Sequence, residues 1–434
     1  MKKNELIKSS LKETKEKRKS QLPKVYQLKL QELRELDIEL LDRLFLEAKW
    51  LTNYVVSDIQ NRLTPDTYKL KEVEVKVKDS FEKREITHLG SQIKQSIIER
   101  IEDSLKGLRE SKKKGNKVGK LHFKSEINSL VLKQYGNTYT IDFKYNKVHI
   151  QGVRKEFRVL GLHQIPDNVE ITKGELIRKP SGYYLYVTAF LNEEPSEVKT
   201  RKGKVKERYV ERFDKPLGID FGVKNQLTLS NGIKINYEVK ESKRLKILQR
   251  KLARKKKGSS NFRKTVQKIQ KEYEDLFKIK KDIQNRIFAF AKLYKKVYAQ
   301  NDTIKSWQKG LFGKQIQHTG IGGIISRLKN NLETLVLIDR FLPTTQTSSN
   351  CGHKQKISLS DRVFKCENCG FEIDRDWNSA RDMVLFGEKT PENLSLDWAE
   401  VTPVEREASA RILESNPYIR ASYTSMKQEA LSFN

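Results

Sequence analysis

The 434-residue sequence predicts an α+β multidomain protein. An N-terminal β-barrel is interrupted by helices, and an α/β unit carrying a cysteine hairpin follows. Three observations predict this order. Between residues 24 and 190 the apolar period runs from two, to about 3.6, and back to two. From Pro216 a short apolar strand holding one aspartate leads into an Asn-Gly hairpin. The three cysteines all fall between Cys351 and Cys369, at metal-hairpin spacing.

Residues 1–23 read as a basic, flexible N-terminus; Met1 to Lys24 carries nine Lys/Arg against three Glu and no apolar signal core. Lys24–Leu30 alternates as a first strand. Leu41, Leu44, Phe45, Ala48, Leu51 and Val55 mark one face of a long helix over about 36–63. A second helix spans about 88–112, with Ile93, Ile97, Ile98, Ile101 and Leu105 inward. Strands return at Tyr139–Phe143, Lys147–Ile150 and Tyr183–Phe190, and 191–212 is a charged linker. Trp50 and Trp307 read as core, and Tyr183, Tyr184 and Tyr186 as residues of a strand's two faces. In the second unit, strands are expected at Leu217–Val223, Gln226–Ser230, Ile233–Val239, Lys296–Gln300 and Leu335–Asp339. A cysteine hairpin covers 348–370, a helix follows Asp374, and the tail 391–434 holds seven acids against four bases.

Composition narrows the function classes. Lys plus Arg number 87 and Asp plus Glu 56, a net charge of +31 that points to a polyanionic partner. At 36% hydrophobic residues the chain still builds true cores. No run of about 18 apolar residues exists, which argues against a membrane span. Three clustered cysteines exclude a disulfide framework and favour a reducing compartment, expected to be the cytoplasm of a bacterium, at its nucleoid.

Four constellations carry chemistry. Asp220 lies between Ile219 and Phe221 in an apolar strand, where a carboxylate is costly unless a cation meets it. A metal-binding carboxylate and a strand-end Asp paired with a lysine both fit that setting. Asp374 suits a helix N-cap with Asp376 in the first turn, and Asp376 is also a second oxygen ligand for Mg²⁺ if it meets Asp220. Cys366 and Cys369 form one knuckle of a zinc ribbon; the other offers Cys351 but has Ser348 where a second Cys belongs, leaving His353 as a candidate fourth ligand. Zinc therefore stands open. The stretch 243–264 contains eleven basic residues and no acid: Lys243, Arg244, Lys246, Arg250, Lys251, Arg254, Lys255, Lys256, Lys257, Arg263 and Lys264. Solvated helices mix signs, so phosphate binding is the expected role.

Gly218–Gly222 followed by Leu227–Gly232 resembles the first RuvC motif of the transposon-encoded TnpB family and of the compact type V CRISPR effectors. Phe341–Gly352 and Leu359–Gly370 resemble the two knuckles of that family's zinc ribbon, and Asp374–Ala380 is similar to its third RuvC motif. The match spans 216–388; the N-terminal half matches in architecture. The resemblance implies a wedge-like β-barrel (24–35 and 116–212), an inserted helical recognition lobe (36–115), an RNase H-like RuvC domain (213–342 and 373–390), a zinc-ribbon-like insertion (343–372) and an acidic C-terminal tail (391–434). It implies an RNA-guided protein that binds a structured guide RNA and a double-stranded DNA target beside a short flanking motif. Asp220 and Asp376 would be Mg²⁺-binding catalytic carboxylates.

Two departures stand out. The family's second RuvC motif places a Glu where this chain has Gln300. Asp302, Asp339 and Glu333 are the acids available to replace it, with Asp302 favoured. Ser348 is the second departure. An RNA-guided endonuclease and a nuclease-inactive guided binder with a transcription-related partner are thus both expected readings; an unguided nucleic-acid binder is a third, and a DDE-type transposase is disfavoured. Monomer and homodimer are both open.

Overall fold

The computed structural model describes residues 3–77, 80–167, 169–192, 197–199, 203–207, 212–223, 225–310, 313–358, 360–388 and 400–424. The chain divides into two compact units, 1–208 and 209–434. No helix among the described residues is long and apolar enough to cross a membrane.

In the first unit an antiparallel seven-stranded sheet runs in the order Ser129–Leu132, Glu170–Lys179, Gly182–Leu191, Leu22–Leu30, Glu156–Leu160, Lys147–Ile150, Tyr139–Asp142. It nearly closes. The N–H of Tyr135 donates to Thr172 O at 2.9 Å, and the N–H of Gly136 donates to Tyr139 O at 2.9 Å, so one segment links the two sides. Gly174 makes room for the Tyr139 ring, since a Cβ there would lie 2.9 Å from it. Near-closure leaves fewer of the unpaired edge groups that invite aggregation.

Two 23-residue helices, Glu35–Ser57 and Ser91–Lys113, form where the period predicts them. The predicted apolar face of the first is fully buried. Glu47 on the same helix is also buried, and accepts from Arg43 Nε at 3.0 Å and from the His88 and Leu89 backbone N–H groups at 2.9 and 3.2 Å. Burial works to raise its carboxyl; the hydrogen bonds from His88 and Arg43 outweigh it and hold the group below the usual range.

Two expectations for this unit need correction. The stretch 36–115 is not wholly helical: Glu72–Val77 and Ser80–Glu85 pair as a hairpin. Its Glu-Val-Glu-Val-Lys-Val alternates with period two, too briefly to stand out between two long helices. The N-terminus, expected to be flexible, contains a helix over Lys3–Ser20. Its basic last turn suits the helix dipole. Arg18 anchors that end, lying 3.7 Å from the Phe190 ring centroid and pairing with Glu170. Of the charged linker, 197–199 and 205–207 pair as a small hairpin, and the rest lies largely outside the described residues.

The second unit holds a six-stranded sheet in the order Leu335–Ile338, Tyr294–Gln300, Phe213–Phe221, Leu227–Leu229, Ile233–Tyr237, Ile419–Tyr423. The first three strands are parallel; the rest are antiparallel, with short turns joining Phe213–Phe221, Leu227–Leu229 and Ile233–Tyr237, and Ile419–Tyr423 adding from the far end of the chain. The Asn231-Gly232 turn forms as predicted, with Gly232 at φ 86°. The helix Arg375–Glu388 packs directly on the central strand. A Cβ on Gly218 would lie 1.9 Å from Ala380 O, so only glycine permits this approach.

The tail differs from the expected appendage. Residues 400–424 belong to this unit: Pro403–Ser409 is a helix capped by Thr402, and Ile419–Tyr423 extends the sheet beside Ile233–Tyr237. Glu405 is fully buried, accepting from Lys215 Nζ at 2.7 Å, the Tyr294 hydroxyl at 2.6 Å and Asn231 Nδ2 at 3.0 Å. The remainder of the tail, 391–399 and 425–434, lies outside the described residues.

Candidate functional site

Asp220 projects from the central strand with Ile219 and Phe221 buried on either side, and is itself half-buried. The helix Arg375–Glu388 begins beside it because Gly218 lets that helix seat on the strand. Asp374 is the N-cap the sequence predicts: its Oδ1 accepts the Trp377 N–H at 3.0 Å, and its Oδ2 pairs with Lys234 at 2.9 Å. Asp376 falls in the first turn, 3.3 Å from the Arg375 guanidinium. The Trp377 indole donates to Ser230 O at 2.9 Å, which fixes the helix start against the hairpin after Asp220.

The Asp220 carboxyl responds to the acids around it. Burial pushes the Asp220 carboxyl well above its ordinary value, and the charges of Asp376 and Asp302 push it further; Arg375 opposes them. Asp302 is raised by burial too, against the pull of Lys329 and Arg340. Of the acids able to replace the missing Glu, Asp302 is the one Asp220 senses. Asp339 is exposed, with Oδ1 accepting the Phe341 N–H at 2.8 Å, and Glu333 is exposed. Gln300 ends its strand and donates from Nε2 to Leu342 O at 3.0 Å, a bond an ionised Glu cannot make. Among the described residues the three carboxylates do not form a group with all oxygens within 4.8 Å; the three cysteine sulfurs do.

Cys351, Cys366 and Cys369 make that group, with Cys351 and Cys366 Sγ 3.6 Å apart. The fully buried Ser348 lies beside them, its Oγ 3.9 Å from Cys369 Sγ. His353 differs from its expected role. Its ring is exposed and outside the group, and its backbone serves instead: the carbonyl accepts the Ser348 N–H at 2.9 Å and the N–H reaches Cys351. The turn Cys351-Gly-His directs the peptide, not the imidazole, at the sulfurs. Burial raises the Cys351 thiol, but hydrogen bonds from the His353 backbone and Ser348 outweigh it and leave the thiol at about 6. Burial raises Cys366. Three thiols and a hydroxyl fit a zinc ion held by three sulfurs, with a weak oxygen at the fourth corner.

Sequence reasoning missed the link between the two centres. Asn378 accepts the Ser349 N–H at 3.0 Å and donates to Thr347 O at 2.6 Å, while the Ser379 hydroxyl donates to Thr344 Oγ1 at 3.0 Å. The helix that carries Asp376 thus clamps the first cysteine knuckle. Asp382, one turn after Asn378, is buried and accepts from Asn378 Nδ2 at 3.2 Å; burial raises its carboxyl well above the usual range. Polar residues four apart, Asn378 and Asp382, were the available signal.

The basic stretch folds as two helices, Lys243–Ala253 and the start of Ser260–Ala291, with a turn between. Leu245, Leu248 and Ile269 pack between them, so the charges face outward. Lys255 is used internally, donating to Asn261 O at 3.0 Å and Thr265 Oγ1 at 2.7 Å. Arg244 pairs with Glu272 at 3.2 Å. Lys243, Lys246, Arg250, Lys251, Arg254, Lys256, Lys257, Arg263 and Lys264 are exposed.

A family model described as "Cas12f1-like, TNB domain" matches residues 324–383, from within the helix Ile321–Asn331 through the cysteine hairpin to the Asp376 helix. A Streptomyces pristinaespiralis protein named "Putative RNA-guided DNA endonuclease" is 29% identical over 181 residues, covering 39% of this chain and 45% of that protein. The Escherichia coli K12 protein "Putative RNA-guided DNA endonuclease InsQ" is 27% identical over 199 residues, covering 39% of this chain and 48% of that protein. The chain spans about half the length of the curated relatives it matches. A solved complex of Cas12f1 with sgRNA and target DNA aligns at a TM-score of 0.44 and 14% identity, over 81% of this chain and 83% of that one. The fold and centres are those of a mixed α/β protein with a Cas12f1-like TNB domain. The chain is a relative of the TnpB proteins and the compact type V effectors.

Proposed function

We propose that the protein is an RNA-guided, DNA-targeting endonuclease with one RuvC-like site. What supports this is that Asp220 on the central strand feels the charges of two acids from other elements, Asp302 beyond the neighbouring strand and Asp376 on the helix packed on both. A half-buried carboxylate raised by burial and by neighbouring negative charge is a setting a divalent cation relieves. Asp220, Asp302 and Asp376 would hold Mg²⁺, which supplies an activated water and stabilises the leaving oxygen of the cleaved phosphodiester. The protein's part is to fix those acids. Gly218 lets the Asp376 helix reach the strand, Arg375 steadies Asp376, and Lys234 holds Asp374 as the cap.

In this reading the closing barrel (24–35 and 116–212) is the wedge, 36–115 the recognition lobe, 213–342 with 373–390 the nuclease domain and 343–372 the ribbon. The exposed cations of 243–264 follow the guide RNA or its heteroduplex with DNA. Cys351, Cys366 and Cys369 hold zinc. The test is to purify the protein expressed with its flanking DNA, sequence the RNA that accompanies it, and assay a matching DNA target with Mg²⁺. One abundant RNA with a constant scaffold and a variable end, together with cleavage lost in Asp220→Ala, supports the proposal. A mixture of cellular RNAs overturns it in favour of an unguided binder.

Gln300 favours a second reading, a nuclease-inactive guided binder that acts in transcription. Its amide donates to Leu342 O, so a strand-end residue of the metal site has become a brace. Guided binding without any Mg²⁺-dependent cleavage would select this reading, since the two steps are separable.

A further inference from the structure

Beside Asp302 the chain assembles groups that metal binding does not use. The residues on either side of it each hold a cation by a neutral oxygen. Lys329 Nζ donates to Asn301 Oδ1 at 2.7 Å, and Arg340 Nη1 donates to Thr303 Oγ1 at 3.3 Å. Neither cation lies within ion-pair distance of a carboxylate among the described residues, and both are exposed to solvent. Both lie near enough to Asp302 to pull its carboxyl downward.

Next to Arg340 stands Phe341. At 77% exposure it is the most exposed large hydrophobic side chain among the described residues. It does not hang on a loose loop. Its N–H donates to Asp339 Oδ1 at 2.8 Å, the Leu342 N–H donates to Asp339 O at 3.2 Å, and Leu342 O accepts from Gln300. The Arg340 guanidinium lies 4.5 Å from the Phe341 ring centroid, which leaves the opposite ring face open to a second planar group. An anchored, exposed aromatic beside two exposed cations is the chemistry that binds a single nucleic-acid strand: base on ring, phosphate on cation.

We propose that the Asp339–Leu342 turn seats a single DNA strand at the carboxylate site, with a base stacked on Phe341 and the adjacent phosphate held by Arg340 and Lys329. These are positioning residues, and the proposal rests on the nuclease reading for which strand is seated. It also gives Gln300 a purpose, because the amide braces the carbonyl at the end of this turn.

The test uses the protein with its co-purified RNA and a short oligodeoxythymidylate containing one 2-aminopurine. Quenching of that base reports stacking, and titrations at several salt concentrations report phosphate contacts. Phe341→Ala is expected to remove the quenching and weaken binding by about 5- to 150-fold, the ratio that loss of one stacked base, about 1–3 kcal/mol, converts to. Phe341→Tyr is expected to retain both. Arg340→Ala and Lys329→Ala are each expected to reduce the salt slope by about 0.7 while leaving the quenching. Unchanged quenching and affinity in Phe341→Ala overturns the proposal. So does an altered sedimentation coefficient with unchanged quenching, which assigns Phe341 to a protein contact such as a second copy of this chain. Asp220→Ala separates the two claims. If it keeps the quenching while no variant or parent cleaves DNA, the nuclease reading falls and the seat stands; if cleavage is present and depends on Asp220 but Phe341→Ala changes nothing, the seat alone falls.

Discussion

Replacing Gly218 with alanine is expected to disable the candidate nuclease site without touching any acid. The new Cβ would lie 1.9 Å from Ala380 O, 2.9 Å from the Ala380 carbonyl carbon and 3.0 Å from Val384 Cγ2. The first two are backbone atoms, so no rotamer change relieves them. Real Cβ contacts essentially never fall below 3.0 Å, so the helix Arg375–Glu388 has to retreat from the central strand by at least about 1.1 Å. Asp220 is on that strand and Asp376 on that helix, and a misplacement of about 1 Å can cost roughly 100-fold in rate. Overpacking of this kind costs about 1–3 kcal/mol, which lowers the melting temperature of a unit this size by about 2–12 °C. The assays are guided cleavage with Mg²⁺, guide RNA retention and thermal unfolding. Cleavage should fall about 100-fold while the RNA is retained. A Gly218→Ala protein that melts and cleaves like its parent would refute the claim that this contact sets the site.

Further outcomes follow from the same structure. Glu405→Ala removes the fully buried acceptor that Lys215, Tyr294 and Asn231 share and should destabilise the protein by about 3–5 kcal/mol in urea unfolding. Burial alone would raise Glu405, but Lys215 and the Thr402 N–H hold it below its ordinary 4.5. Its contribution is therefore complete above that value and is lost as pH falls through the lower folded value; Glu405→Gln should flatten the acid limb of stability against pH. Asp220 has the opposite sign. Its raised carboxyl costs stability as pH rises, so Asp220→Asn should raise the melting temperature at neutral pH without Mg²⁺, and added Mg²⁺ should stabilise the parent but not the variant. Ser348→Cys completes four thiolates. It should slow zinc release to a chelator and shift the Co²⁺ spectrum of the substituted ribbon to that of four sulfurs; unchanged spectra would place Ser348 outside the metal's reach. Changing Lys256, Lys257, Arg263 and Lys264 together to alanine should reduce the salt dependence of RNA binding by up to about 0.7 to 0.9 per lost phosphate contact.

What could be read from sequence was what is local. Asn231-Gly232 specifies its hairpin, and Asp374 its cap, through bonds to residues a few positions away. The apolar stripe of Glu35–Ser57 specifies a buried helix face for the same reason. Ambiguity grew where partners are distant in sequence. Asp302, Asp339 and Glu333 are all acids a few residues past a strand or helix, and nothing local in the sequence says that the charge of Asp302 bears on Asp220. His353 has the right chemistry for zinc, but the knuckle turns its peptide inward. The net charge of the tail conceals that one acid, Glu405, is buried and meets Lys215. Its Thr402-Pro-Val-Glu405 capping box was legible, yet only the pairing of Ile419–Tyr423 with Ile233–Tyr237 shows that it completes the sheet.

The most direct test concerns Asp302, whose role no motif assigns. Guided cleavage of a matched DNA target with Mg²⁺ should be compared between the parent protein and Asp302→Asn, each carrying its guide RNA. If Asp220, Asp302 and Asp376 together form the metal site, the parent cleaves and Asp302→Asn binds the same target without cleaving it. Cleavage undiminished by Asp302→Asn, or a parent that binds its target and never cuts, would contradict that claim.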